Sequence, residues 1–378
     1  MKKTTLFLVL FSLLAHIAIS QEKVQLDERY KPFINLEEYM QPFWNASTIT
    51  DETVMVIRDG EINSVTLLYQ AAEILSVRST DHSITYTKGK DWILRNGKLI
   101  ILPNSRVPCL NKADLVFKHK KEGFSMTGKL DSTFVLFKEG LYFQSQQISV
   151  SYKRKPGDRW QGAVPVINDD ALPITRVKLK SKQPVKICFL GNSIEVGYNS
   201  SGLMNGAPYM PSWPELVTWK LKDFFQNEII YSNPSVAGKM ASWGAEKAAE
   251  IAAKEKPDLL VIGFGMNDGA SKVAPDEYLK NIRKIINSTL EINPATEFIL
   301  ISPMLANPNA IQDGIQGSYA QELKKLSSKN IAIVDMTGVH KTLLTKKNYQ
   351  DMTGNNVNHP NDYLSRWYAQ MICGLFIN

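Results

Sequence analysis

After residue 184, short apolar runs alternate with segments of helical period. The runs are Val185–Leu190, Glu228–Tyr231, Leu259–Phe264, Phe298–Ile301 and Ile331–Val334. Between and beyond them lie Pro214–Gln226, Ser242–Glu255, Pro275–Leu290, Tyr319–Leu326 and Asp362–Leu375, which carry helical patterns. Strands alternating with helices predict a parallel sheet covered on both faces, with reactive groups gathered at the carboxyl ends of its strands. From about Leu67 to Tyr152 the pattern is strand-like instead. Trp92–Arg95 and Lys98–Leu102 flank Asn96-Gly97, a strong hairpin signal because both positions tolerate positive φ. Phe134–Phe137 and Leu141–Phe143, on either side of Lys138-Glu139-Gly140, predict a second hairpin. Ile148, Val150 and Tyr152 alternate with polar residues, as in a half-solvated strand. The expectation is a small β-sandwich followed by a connector over residues 156–183, which are rich in Pro, Asp and Lys.

The first residues change this picture. Lys2 and Lys3 precede an apolar core from Leu6 to Leu14, and Ala18-Ile19-Ser20 is a small-x-small cleavage site. This pattern reads as an export signal, because a membrane span needs about 20 apolar residues. The predicted organisation is a signal peptide over 1–20, a β-sandwich-like domain with its connector over 21–180, and an α/β domain over 181–378. Composition narrows the class. Of 378 residues, 44% are hydrophobic and 21% charged, which excludes a wholly disordered chain. The net charge of +7 falls to +5 without Lys2 and Lys3, too little to predict a nucleic-acid partner. The basic clusters Lys118–Lys121 and Lys153–Lys155 read as solvated faces. Only three cysteines are present, and the apolar surroundings of Cys188 and Cys373 predict buried free thiols. No Cys/His cluster has zinc-ligand spacing.

Four segments carry candidate chemistry. They are Gly191-Asn192-Ser193, the stretch Asn233–Gly238, Gly265–Asp268, and Asn356–Asp362 ahead of the last helix. Together they supply a hydroxyl, a histidine and neutral hydrogen-bond donors, which acyl transfer requires. That chemistry requires neither a metal nor an organic cofactor. A Ser hydroxyl needs a base within hydrogen-bond reach, and a developing oxyanion needs preorganised donors. Ser193 is the candidate nucleophile and His359 the base. The backbones of Ser193 and Gly238 and the side chain of Asn267 are the candidate oxyanion donors. Asp268 reads as a structural residue, Asp362 as the cap of the last helix, and His340 as a structural residue in a loop. Tyr198, Tyr209 and Trp243 lie in or beside the same loops. Aromatic faces suit sugar rings, which makes these three candidates for substrate binding, with buried packing the competing expectation for Trp243.

Taken jointly, the four segments resemble the SGNH hydrolases, also called the GDSL family of esterases and lipases, over about residues 184–378. The resemblance implies a flavodoxin-like parallel five-stranded sheet flanked by helices, here preceded by the β-sandwich domain. It implies the same roles for Ser193, Gly238, Asn267 and His359. Gly140–Phe143 and Asp158–Gly162 extend the likeness to an exported bacterial subgroup with an N-terminal β-domain that acts on carbohydrate esters. That wider likeness implies an acylated glycan as the partner, most simply an O-acetylated one, with no integral membrane span once the signal is removed. Two positions depart from the pattern. Asn192 stands where Asp is usual, and Asn356 stands where the family has a carboxylate three residues before the base. An Asn carbonyl accepts the ring N–H but adds no negative charge. Asn356, Asp351, Asp335 and a backbone carbonyl are the candidates for the third catalytic group. The reading that follows is an exported serine esterase. A lipase or thioesterase of the same family and a non-catalytic glycan-binding protein are its alternatives. The polar loop Asn199–Asn205 argues against a long acyl groove, and Ser193, Asn267 and His359 argue against lost catalysis.

Overall fold

The computed structural model describes residues 27–59, 64–166, 168 and 170–377, so the predicted signal peptide lies outside them. Five strands form the sheet of the C-terminal half: β1 (Val185–Gly191), β2 (Ile229–Ser232), β3 (Leu259–Gly263), β4 (Glu297–Ile301) and β5 (Ile331–Val334). Their order is β2-β1-β3-β4-β5, with every neighbouring pair parallel. Successive side chains of a strand point to opposite faces, and here both faces are apolar. Ile187, Phe189, Val261, Ile299 and Val334 face helices α1 (Trp213–Phe225), α5 (Met336–Leu344) and α6 (Asp362–Cys373). Cys188, Leu190, Leu260, Ile262 and Leu300 face α2 (Ala241–Glu255), α3 (Pro275–Ile292) and α4 (Tyr319–Lys324). Cys109, Cys188 and Cys373 are free, and burial pushes the thiols of Cys188 and Cys373 up to about 12.

The N-terminal half is built on an antiparallel sheet of Thr48–Met55, Gln147–Arg154 and Ala71–Ser79, with the middle segment between the other two. Trp92–Arg95 pairs with Lys98–Ile101 through a turn in which Asn96 and Gly97 both have positive φ. The second expected hairpin does not form. Phe134–Leu136 is instead the middle strand between Val116–Phe117 and Ser125–Thr127. Tyr142–Ser145 is one helical turn that buries Phe143. The apolar run Leu141–Phe143 is too short for its period to separate strand from helix, and burial of Phe143 decides.

Three further segments differ from expectation. The connector contains a helix, Pro173–Lys180, whose first amides at Ile174 and Thr175 donate to the buried carboxylate of Glu297. His340 lies in α5 and not in a loop, and its buried Nδ1 accepts from the Leu305 N–H. The cap of α6 is Asn361, whose Oδ1 accepts from Leu364 N, while Asp362 is the first helical residue and accepts from Ser201 N.

The two halves share one hydrophobic core. Ile49, Val54, Val77 and Tyr152 from the front sheet join Tyr363, Leu364 and Trp367 of α6 in the cluster that also covers one face of the parallel sheet. Polar contacts cross the same boundary: Arg366 donates to the carbonyls of Tyr39 and Thr50, and Asp351 accepts from Met55 N.

Candidate active site

Ser193 opens a short helical turn, Ser193–Val196, directly beyond β1. Asn192 caps this turn through Oδ1, which accepts from Ile194 N at 3.0 Å, and Glu195 accepts from Asn192 N at 2.8 Å. Glu195 lies under the ends of β1 and β3, where a Cβ on Gly191 or Gly263 would strike it. Burial pushes its carboxyl up to about 8 against the N–H groups that it accepts.

The loops after the neighbouring strands are tied to this turn. Beyond β2, Asn233 Nδ2 donates to Glu195 O at 2.8 Å, and Val236 N donates to Gly191 O at 3.2 Å. Gly238 follows with φ +76° and open space where a Cβ would stand. Beyond β3, Asn267 sits in the turn Met266–Ala270 and donates to Lys239 O at 2.9 Å. Asp268 joins the same two loops, accepting from Ala241 N and Gly265 N. Burial raises its carboxyl above the ordinary value in spite of those bonds. Ser193, Gly238 and Asn267 therefore stand at the carboxyl ends of three adjacent strands.

His359 closes the arrangement from the segment before α6. Its Nε2 lies 2.9 Å from Ser193 Oγ, and both residues are largely buried. Its Nδ1 lies 2.8 Å from Asn199 Oδ1. Asn199 Nδ2 is committed to the carbonyls of Gly140 and Gly354, each at 3.2 Å, which orients the amide with its oxygen toward the ring. With Asn199 Oδ1 its nearest neighbour, Nδ1 is oriented to carry the ring proton and Nε2 to accept from the serine hydroxyl, while Asn355 Nδ2 also lies 3.0 Å from Nδ1. Gly354 permits this contact, since a Cβ there would overlap Asn199.

A second group faces Nδ1. Glu139 Oε2 lies 3.4 Å away, and its Oε1 accepts from Asn355 Nδ2 at 3.0 Å. Asn355 is itself fixed, because its Oδ1 accepts from the N–H groups of Val357, Asn358 and His359. Partial burial pushes the Glu139 carboxyl up, but His359 and the amides of Asn355 and Asn199 outweigh it and hold the group below its ordinary value.

The candidates for the third catalytic group lie elsewhere. Asn356 Nδ2 donates to Leu136 O at 2.8 Å, and its Oδ1 accepts from Gln350 and Asn307, so neither end of its amide reaches the ring. Asp351 accepts from Met55 N and Asn348 N beside Lys347, and burial pushes its carboxyl up to about 6. Asp335 caps α5. The two acceptors that do face Nδ1, Asn199 and Glu139, come from distant segments that share no spacing motif with His359. Of the aromatic candidates, Tyr198 meets the His359 ring with centroids 5.6 Å apart. Tyr209 packs on Phe33 and beneath Arg29, and Trp243 packs against Phe264. Among the described residues, no group of three or more His, Cys, Asp or Glu side chains is placed to hold a metal ion.

Residues 189–366 match the model of the GDSL-like Lipase/Acylhydrolase family. An arylesterase of Vibrio mimicus is 28% identical over 107 residues, which is 28% of this chain and 50% of that protein. The chain thus spans about half the length of the curated relative it matches. Among solved structures, a two-domain esterase (CEX) active on acetylated mannans is similar at 19% identity and a TM-score of 0.45, covering 56% of this chain and 53% of that one. The acetyl xylan esterase AlAXEase is similar at 20% identity and a TM-score of 0.41, covering 50% of this chain and 98% of that one.

Proposed function

Because residues 189–366 belong to the GDSL-like lipase/acylhydrolase family, we propose that this chain is an exported serine esterase. Its substrates are O-acyl esters, chiefly O-acetyl esters, on polysaccharides or oligosaccharides. The observation that carries this reading is the 2.9 Å contact between Ser193 Oγ and His359 Nε2 at the carboxyl ends of a parallel sheet. Ser193 Oγ attacks the ester carbonyl carbon while its proton passes to His359 Nε2. The tetrahedral intermediate collapses, the C–O bond to the sugar breaks, and the leaving alcohol takes the proton from Nε2. A water molecule, deprotonated by the same nitrogen, then attacks the acyl-enzyme and releases the carboxylic acid and Ser193. The N–H groups of Ser193 and Gly238 and the amide of Asn267 are assigned to the oxyanion. Asn199 holds the ring in the tautomer that this sequence of proton transfers needs.

The glycan assignment is supported by the likeness of Gly140–Phe143 and Asp158–Gly162 to exported carbohydrate esterases and by the Tyr198 ring beside His359. Export is supported by the pattern from Lys2 to Ser20. Among the described residues, no helix is long and apolar enough to cross a membrane. The division into an N-terminal β-domain over 21–180 and a hydrolase domain over 181–378 is part of the same proposal.

Hydrolysis of 4-nitrophenyl acetate, of longer acyl esters and of a panel of acetylated polysaccharides tests it. Ser193→Ala should lower turnover by about three orders of magnitude or more while leaving the melting transition in place. Turnover of the variant at the wild-type rate would remove Ser193 from the mechanism. A preference for long acyl chains would point to a lipase instead.

A further inference from the structure

We infer that Glu139, carried by the N-terminal half, is the acid that stabilises the protonated form of His359, so that the front β-structure completes the catalytic centre. The kinetic part of this inference rests on the esterase reading above, but the pairing of the two side chains does not. The segment that bears the base has no carboxylate at the third position before it, and Asn356 there is occupied by Leu136, Gln350 and Asn307. The empty role is filled from outside the segment. Glu139 Oε2 is 3.4 Å from His359 Nδ1, and the carboxylate is anchored through Oε1 by Asn355, an amide whose own oxygen holds three N–H groups. The residue after it, Gly140, has φ +86° and gives its carbonyl to Asn199 Nδ2, so the loop is tied to both amides that flank the ring.

Of the three groups at Nδ1, Asn355 anchors Glu139 and the other two divide the task. Asn199, a neutral acceptor, selects the tautomer. Glu139 supplies the negative charge that favours the imidazolium while the serine proton resides on Nε2. The proton on Nδ1 stays on the ring throughout, and Glu139 stays ionised. Glu139 acts through His359 and is a positioning residue. The ring is faced by Glu139 from the front half, by Tyr198 from the loop after the nucleophile, and by the neutral amides of Asn199 and Asn355. Because Glu139 is half-exposed, solvent screens its charge and its effect should be weaker than that of a fully buried carboxylate this close.

The test compares the full chain with Glu139→Gln, Glu139→Asp and Ser193→Ala. The His359 ring is titrated by NMR, assigned by His359→Gln, and kcat and KM for 4-nitrophenyl acetate are measured across pH. Glu139→Gln should move the acidic limb of kcat/KM and the ring titration to lower pH, and lower kcat about 10–100-fold with KM within about twofold. Glu139→Asp should restore a large part of both effects. An unmoved ring titration in Glu139→Gln overturns the inference. So does a shifted titration with kcat unchanged, since the charge would then serve no step. If the titration shifts but neither wild type nor Ser193→Ala hydrolyses any ester, the Glu139–His359 pairing stands and the esterase reading is what fails.

Discussion

Asn356 shows how little a motif position says about the use of its side chain. It sits three residues before the base, where a carboxylate is expected, yet its left-handed backbone (φ +65°) and its amide serve the packing between the halves. Nδ2 donates to Leu136 O in a buried setting, a bond that only an amide can make there. Asn356→Asp would set a carboxylate oxygen against that carbonyl. The expected result is a loss of about 1–3 kcal/mol of stability, measured by urea denaturation, with no movement of the acidic limb of the pH–rate profile. A limb that moved upward would show that the new charge reaches the ring after all. At this scale the candidate nucleophile and oxyanion donors were legible because each sits in a short segment beyond a strand, and the base because it sits in a short segment just ahead of α6. Asn199 was read only as part of a polar loop, and Glu139 only as part of a turn. Their place at the ring depends on contacts spanning 160 residues or more, which no local pattern encodes.

The turn after β1 is the element on which the candidate nucleophile rides, and Glu195 is built into its base. Its carboxyl titrates at about 8 in the folded chain, against an ordinary value of 4.5. Below about pH 4.5 the group is protonated in both states. Between about 4.5 and 8 the folded protein holds a proton that the unfolded chain has released, so stability falls as pH rises. Above about 8 both forms are ionised and the loss is complete. Glu195→Gln keeps a carbonyl oxygen for Asn192 N and removes the titration. Calorimetric melting temperatures from pH 5 to 8 should therefore decline less in the variant than in wild type. Parallel curves would show that the carboxyl is already ionised at pH 5. Asp351 and Asp362, both raised to about 6, remain in the variant and leave a residual slope below about pH 6. The strands and long helices around this turn were readable from period alone, because strands buried on both faces are continuous apolar runs. The short helix α5 and the turn Tyr142–Ser145 were not. Each is only one to three turns long, too short for its period to stand out, and each is held by contacts from elsewhere in the chain: the Leu305 N–H on His340 in one case and the burial of Phe143 in the other.

The largest scale concerns whether the two halves fold as one unit. Lys347, from the segment after α5, is fully buried against Glu52 of the front sheet and lies 3.8 Å from Asp351. Glu52 also accepts from Tyr152 OH at 2.7 Å and from Leu68 N at 2.8 Å, so the ion pair is embedded in a satisfied network between the halves. Sequence period separated a β-rich front from an α/β back, but it carried no sign that α6 packs into both, nor that a lysine and a glutamate nearly 300 residues apart meet in the buried interior. Removing one member of a buried pair leaves the other charge unpaired and costs about 3–5 kcal/mol, whereas replacing both by neutral groups costs far less. Glu52→Ala should accordingly lower the urea midpoint of the whole protein in a single transition, with fluorescence from front and back tryptophans moving together. Glu52→Ala combined with Lys347→Met should recover most of that loss, and the double-mutant cycle built from these two substitutions should give a coupling of several kcal/mol. Two separate transitions, or a cycle that closes near zero, would mean that the halves are independent modules touching at a boundary. A single transition with strong coupling would fit a front half that cannot detach without taking Glu139 from His359, which ties the integrity of the candidate site to the folding of the entire chain.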